Sequence, residues 1–262
     1  MLLPSLLLAA TVVAPLDGVP SGYAREPLAT IGAAHLGAAT AIYRAAPVDV
    51  LATSRLGNGL PAAAPAAVGM SASRLAEIDR VVQQGRTAGG FPGAAVVVGR
   101  KGYAVWQRGI GALDWRADSR AVDPTETIYD LASLTKVVAT TTAVMLLYDE
   151  GRIQLDAPVA RYLPAFGGDS VRESITVEHL LTHRSGLPSG LDLWRLASTP
   201  AQARAMVYTA RLKRAPGVAY EYSDLGPILL GFLVEQIAEQ PFDTFVAERI
   251  FRPLGMTDTR FR

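Results

Sequence analysis

Ser133 and Lys136 stand three residues apart at the head of an apolar run, in Tyr129-Asp130-Leu131-Ala132-Ser133-Leu134-Thr135-Lys136. Residues three apart on a helix share a face, so the hydroxyl and the amine become neighbours. A serine hydroxyl is a poor nucleophile until a base takes its proton, and a lysine whose pKa is lowered by burial or by neighbouring positive charge can be that base. The free N–H groups and the positive dipole end of a helix start favour the negative charge that develops when an acyl carbonyl is attacked. The chemistry suggested is acyl transfer through Ser133. The same spacing also arises where a first-turn serine sits beside a solvated lysine, so the pair by itself leaves both open.

A second polar group stands downstream. Pro216-Gly217-Val218-Ala219-Tyr220-Glu221-Tyr222-Ser223-Asp224 puts Tyr222 and Asp224 two residues apart, after a Pro-Gly turn and before an apolar helix. Three further phrases accompany it: Phe91-Pro92-Gly93, Leu180-Leu181-Thr182-His183-Arg184-Ser185-Gly186-Leu187-Pro188, and Pro253-Leu254-Gly255-Met256. On these residues the chain, over about 67–262, resembles the serine beta-lactamase and penicillin-binding-protein superfamily. The resemblance is to its class C-like branch, with family VIII esterases and D-alanyl-D-alanine peptidases. It implies a serine hydrolase working through an acyl-enzyme without a cofactor. Ser133 would be the acylated nucleophile, Lys136 its base partner and Tyr222 the proton relay to the leaving group. A phenol between two cationic groups has its pKa lowered, and such acid-base help contributes about a hundred- to ten-thousandfold.

Asp224 departs from the asparagine more usual in that superfamily. An ionised carboxylate only accepts hydrogen bonds, so Asp224 is expected to pair with Lys136 and to tilt substrate choice away from beta-lactams toward esters or peptides. The superfamily also carries a Lys/His-Thr-Gly-like strand that supplies one oxyanion donor. None follows Tyr222, and Thr257-Asp258-Thr259 belongs to a different phrase. The expectation is therefore the front portion of a longer enzyme, with an incomplete active site.

The elements that must position these groups follow from periodicity. Ser71 to Ser73 suit a helix cap ahead of Leu75, Ile78, Val81 and Val82 at helical spacing, ending near Gly89-Gly90. Ala94 to Val98 and Tyr103 to Gln107, joined by Gly99-Arg100-Lys101-Gly102, predict a β-hairpin. One long helix is expected to carry Ser133 and Lys136 to about Glu150, with a stop at Gly151. Thr176 is a plausible cap of a short helix in which His179 and His183, at i and i+4, could share a metal; no third ligand is evident, and a structural role is preferred. Further helices are expected over about 200–211 and 225–240, the latter burying Ile228, Leu229, Phe232, Leu233 and Ile237. The fold class is α+β, a helical subdomain with an antiparallel sheet of which the N-terminal hairpin is present.

Residues 1–16 form an apolar run too short to span a bilayer, which suggests a signal peptide over 1–24 and export to the periplasm or medium. The Ala/Gly/Pro-rich stretch 25–66 is expected to be a linker to a domain over 67–262. Among 262 residues there are 25 Lys plus Arg against 24 Asp plus Glu, with no like-charge block, which argues against nucleic-acid binding. With no cysteine, disulfides, thiolate nucleophiles and Cys-based zinc sites are excluded, so serine must carry any covalent chemistry. The leading expectation is an esterase or beta-lactamase-like hydrolase of small esters, amides or lactams. A D-alanyl-D-alanine carboxypeptidase or endopeptidase acting on cell-wall peptide is the alternative, and a non-catalytic acyl-ligand binding module is the third.

Overall fold

The computed structural model describes residues 60–261, which form two compact units divided between Tyr129 and Asp130. The expected signal peptide and most of the expected linker lie outside the described residues. The linker's last residues do not behave as one: Ala63 N–H donates to Ala104 C=O at 3.1 Å, and Ala104 N–H to Pro61 C=O at 2.9 Å.

In the first unit, helix α1 (Ala72–Thr87) starts where expected, with the Ser71 side chain accepting from Arg74 N–H. It buries Leu75 and half-buries Ile78, but Val81 faces solvent. Strands β1 (Gly93–Arg100) and β2 (Tyr103–Gly111) pair antiparallel about Lys101-Gly102, longer than periodicity suggests, with a register shift between Val98 and Gly99. A bulge there turns one extra residue into the strand and tightens the twist. Val68, Leu75 and Val105 make a small core under Trp106 and Tyr103. Gly109 is required by close approach, because a Cβ would stand 2.1 Å from the Val122 carbonyl oxygen.

The second unit is helical and holds the larger core. The expected single helix from Ser133 to Glu150 is instead three geometries in series: a 3₁₀ turn over Ala132–Leu134, a π-helical turn over Lys136–Thr141, and α2 (Thr142–Asp149). The sequence explains the change. Val137, Val138, Thr140, Thr141 and Thr142 are β-branched, and threonine hydroxyls compete for main-chain acceptors. Thr141 Oγ1 donates to the Lys136 carbonyl at 2.8 Å and Thr142 Oγ1 to that of Val137 at 2.9 Å, each five residues back.

Short helix α3 (Val177–Leu181) has the expected Thr176 cap, closed as a capping box with His179: Thr176 Oγ1 accepts His179 N–H, and His179 Nδ1 accepts Thr176 N–H. Helix α4 (Pro200–Tyr208) ends three residues earlier than expected. Helix α5 (Leu225–Ala238) runs through the middle of the core. Leu229 and Leu233 are fully buried as expected, but so are Leu225, Leu230 and Val234, while Ile228, Phe232 and Ile237 pack at its margin. A helix apolar on nearly every side must be surrounded. Around it lie Ala143 and Leu147 of α2, Leu180 of α3, and Phe245 of α6 (Phe242–Val246).

Because Leu229 is completely buried at the centre of this core, Leu229→Ala is expected to destabilise the protein by about 2–5 kcal/mol. Equilibrium urea unfolding measures the loss. A cost below about 1 kcal/mol would mean that the core around α5 can collapse freely.

Candidate active site

The backbone is strained immediately before Ser133. Ala132 has a φ of +43°, in the left-handed region that L side chains avoid. Asp130 holds it there, accepting Ala132 N–H on Oδ1 at 2.8 Å. Ser133 follows on the 3₁₀ turn with its side chain exposed. Lys136, three residues on, opens the π-helical turn that follows, and its Nζ reaches Ser133 Oγ at 2.9 Å. The expected pairing of Ser133 with Lys136 is therefore present, across the junction of the 3₁₀ and π-helical turns.

Tyr222 and Asp224 come from a segment about ninety residues on that runs beside residues 183–189. The Glu221 N–H donates to the His183 carbonyl and the Asp224 N–H to the Ser189 carbonyl, both at 2.8 Å. Ser223 is buried between them, with Oγ donating to Pro188 C=O at 2.6 Å and accepting Leu225 N–H at 3.1 Å. Ser223 thus serves the first turn of α5, and Asp224, at the N-cap position, leaves its own side chain free of any capping bond. Asp224 Oδ1 instead meets Lys136 Nζ at 2.7 Å, the pairing its charge leads one to expect. Pro216-Gly217 makes the turn before the segment, with Gly217 at a φ of +79° and its N–H on the Arg184 carbonyl at 2.8 Å. Glu221 anchors it from outside, with Oε1 to Lys213 Nζ at 2.6 Å and Oε2 to Arg214 at 2.7 Å.

Ser133, Lys136 and Tyr222 line one cavity, together with His183 and an apolar floor that includes Leu181, Pro227 and Leu230. Asp224 joins this group through its ion pair with Lys136. The four site residues named from sequence are thus brought together within the second unit.

The electrostatics differ from expectation in one respect that matters for chemistry. Lys136 was expected to be the neutral base. Burial does pull its pKa down, but hydrogen bonds and charge from Asp224 and Tyr222 outweigh burial and raise it above the ordinary lysine value. Lys136 is an ammonium. Tyr222 moves the other way, because hydrogen bonds from Lys136 and then Ser133 favour the phenolate and hold the pKa below the ordinary tyrosine value against partial burial. The phenol was expected between two cations; it has one, with Lys136 Nζ 5.1 Å from its ring centroid. The other neighbour is His183, whose ring lies 4.6 Å away. Burial, followed by the Lys136 charge, pushes the His183 pKa below the ordinary histidine value, so the imidazole is neutral at pH 7.

His183 is the residue that sequence reasoning placed wrongly. The i, i+4 spacing from His179 suggested a shared helix face, but α3 ends at Leu181 and His183 has a φ of +56°, so its side chain leaves that face. His179 Nδ1 is occupied by Thr176 N–H, and His183 Nδ1 accepts Ser223 N–H at 3.2 Å. Among the described residues no cluster of three metal-ligating side chains occurs. The signal available in sequence was the phrase Thr182-His183-Arg184-Ser185-Gly186, which marks a tight turn without saying what it packs against.

A family model described as "Beta-lactamase" matches residues 78–262. The chain belongs to the beta-lactamase family. Among curated proteins it is similar to a "Putative D-alanyl-D-alanine carboxypeptidase" of Escherichia coli (strain K12), 32% identical over 219 residues that cover 77% of this chain and 50% of that protein. It is also similar to an "N-acetylmuramyl-L-alanine amidase" of Bacillus subtilis (strain 168), 30% identical over 212 residues, with 73% of this chain and 47% of that protein covered. The chain thus spans about half the length of the curated relatives it matches. Among solved structures, "EstCE1, a hydrolase with promiscuous acyltransferase activity" aligns with a TM-score of 0.59 at 27% identity, over 70% of this chain and 52% of that one. A beta-lactamase/D-alanine carboxypeptidase from Pseudomonas syringae aligns with a TM-score of 0.60 at 22% identity, over 71% of this chain and 50% of that one, and shows the fold alone. The α+β beta-lactamase-like fold expected from sequence is the fold of this beta-lactamase-family chain. No helix among the described residues is long and apolar enough to cross a membrane.

If Lys136 holds the Tyr222 phenol below its ordinary pKa, removing the ammonium must reverse the shift. In Lys136→Met the phenol is expected to titrate at higher pH than in the parent protein, read by ultraviolet difference titration against Tyr222→Phe. An unmoved or lower phenol pKa would contradict the geometry.

Proposed function

We propose that this chain carries the acylating centre of a serine hydrolase that attacks small esters and amides, with Ser133 as nucleophile and Tyr222 as the group that takes its proton. The observation that carries this reading is the bridging position of the Lys136 ammonium, 2.9 Å from Ser133 Oγ and 2.7 Å from Asp224 Oδ1, beside a phenol whose pKa it lowers. A lysine kept protonated cannot accept the serine proton, whereas a phenolate stabilised by that lysine can.

In the proposed step the Ser133 O–H bond breaks and its proton passes to the Tyr222 oxygen while Oγ bonds to the substrate carbonyl carbon. The carbonyl π pair moves onto oxygen, where the Ser133 main-chain N–H at the head of the helical run is one suitable donor. Collapse of the tetrahedral intermediate expels the alkoxide or amine, which takes the proton from Tyr222. This leaves acyl-Ser133 and the phenolate restored. Water then repeats the sequence as nucleophile, with Tyr222 accepting its proton and Ser133 Oγ leaving. Lys136 stays an ammonium throughout, and Asp224 supplies its counter-charge.

Two arguments bear on substrate. Asp224 offers only acceptors toward a bound ligand and is already engaged with Lys136, which disfavours groups that need an amide donor there and leaves esters as the leading substrates, beta-lactams being the poorer ones. The similarity to proteins named for D-alanyl-D-alanine carboxypeptidase and muramyl-alanine amidase activity favours cell-wall peptides as the second reading. Export is the compartment that fits both the apolar segment within 1–16 and a cell-wall substrate.

A fluorophosphonate probe is expected to label the Ser133 peptide, identified by mass spectrometry, and labelling that survives Ser133→Ala would overturn the assignment. Lys136→Ala and Tyr222→Phe are each expected to slow acylation about a hundredfold or more, with the double variant little worse than either, because both act on one proton. Independent, additive losses would separate the two residues.

Asp224→Asn tests substrate preference. It is expected to raise beta-lactam turnover relative to hydrolysis of a short-chain p-nitrophenyl ester, measured on the same preparation. A constant ratio would move the preference to the cavity walls.

A further inference from the structure

His183 contributes to the cavity without an assigned role in proton transfer. It stands just past the end of α3 with a φ of +56°, a place where helices usually put glycine or asparagine. Three of its groups converge on the Tyr222 segment. Its main-chain carbonyl accepts Glu221 N–H at 2.8 Å, and its ring Nδ1 accepts Ser223 N–H at 3.2 Å, so the peptide N–H groups on either side of Tyr222 both end on one residue. Its ring lies against the Tyr222 ring, centroids 4.6 Å apart and planes inclined at 35°, and meets Tyr220 edge-on at 5.9 Å. A ring that accepts at Nδ1 must be neutral, with its one proton on Nε2. Protonation would turn Nδ1 into a donor aimed at the Ser223 N–H, and the contact could not persist.

We propose that His183 is a positioning residue for Tyr222, fixing the phenol beside Ser133 and Lys136 through its carbonyl and its neutral ring, and releasing it when the ring is protonated. The inference rests on the reading of Tyr222 as the proton-transfer group. The side chain reaches Ser223 across forty residues of sequence, while the main-chain carbonyl of the same residue takes the N–H on the other side of Tyr222. The charged and titratable groups facing the ring are Lys136, which opposes its protonation, Asp224, which favours it, and the Tyr222 and Tyr220 phenols. On the outer side of the segment, Glu221 is neutralised by Lys213 and Arg214.

Two variants separate the ring's role from the backbone's. Asparagine tolerates the left-handed conformation, and its carboxamide oxygen is as many bonds from Cα as Nδ1, so His183→Asn keeps the acceptor and loses the ring's titration. Glycine keeps the conformation and loses both acceptor and stacking. Acylation by a p-nitrophenyl ester, followed against pH, is expected to fall about ten- to hundredfold in His183→Gly with KM little changed, and to fall by less in His183→Asn, which loses the ring contact but keeps the acceptor. The parent profile is expected to lose activity as pH drops through the His183 pKa, a step missing in His183→Asn. In a Tyr222→Phe background, His183→Gly is expected to add no further loss. Independently of turnover, nitrogen NMR of the histidine rings is expected to show His183 protonated only on Nε2 at neutral pH.

A fully active His183→Gly beside a crippled Tyr222→Phe would overturn this proposal alone. So would the same acid step in His183→Asn, additive losses with Tyr222→Phe, or a proton on Nδ1 at neutral pH. A Tyr222→Phe protein that acylates at the parent rate would overturn the proton-transfer reading itself, and the positioning role with it.

Discussion

The Lys136 ammonium is the constraint on which the rest of the site depends. It is four-fifths covered, with 19% of its side chain accessible, and a charge so placed needs partners that return what hydration would have given. Asp224 returns most of it as a counter-ion, and Ser133 Oγ and Tyr222 accept its remaining hydrogen bonds. Each partner is altered in turn. The phenol becomes easier to ionise, His183 becomes harder to protonate, and the serine hydroxyl is held by its oxygen with its proton directed elsewhere. This charge acts on Tyr222 chiefly through a hydrogen bond, and on His183 it adds to the larger effect of burial.

Holding three groups around that charge falls to two pieces of backbone of different character. Ser133 and Lys136 are local neighbours on a tightened helical entry, set by a strained Ala132 and the Asp130 contact that holds it. Tyr222 and Asp224 are on irregular chain, which would wander without external ties. The ties are many: main-chain bonds to residues 183–189, the buried Ser223 hydroxyl, and the Glu221 pairs with Lys213 and Arg214. Helix α5 follows directly on its N-cap residue Asp224 and drives into the apolar core, so the position of the carboxylate is coupled to the best-packed element of the unit.

The π-helical turn over Lys136–Thr141 belongs to the same design. Such turns are uncommon, and they widen a helix by one residue per turn. Here the widening follows directly after Lys136, and Thr140 and Thr141 of that turn line the cavity beside the apolar Leu181 and Leu230. The β-branched run that accompanies it therefore lines the wall of the site as well as the path of the helix. The region matched by the family model, from residue 78 onward, contains every residue of the cluster.

Much of this was legible in the sequence, and the boundary between what was and was not has a physical cause. Ser-x-x-Lys and Tyr-x-Asp spacing singled out Ser133, Lys136, Tyr222 and Asp224, which the structure brings together, and opposite charge was enough to pair Asp224 with Lys136. Periodicity located the hairpin, the Thr176 cap and α5, because burial patterns and caps are written in neighbouring residues. The π turn was missed because periodicity registers which residues are apolar and not which carbonyl a threonine hydroxyl will take. The charge on Lys136 was missed because a pKa is the balance of burial against all partners, and those partners converge from elements about ninety residues apart. His183 was expected within the short helix in a structural role, and only the left-handed turn after α3 sends it to Tyr222. Residue types and short spacings determined which chemistry was available to this chain. The tertiary structure alone decided which of its groups holds the proton, since that depends on distances no local pattern records.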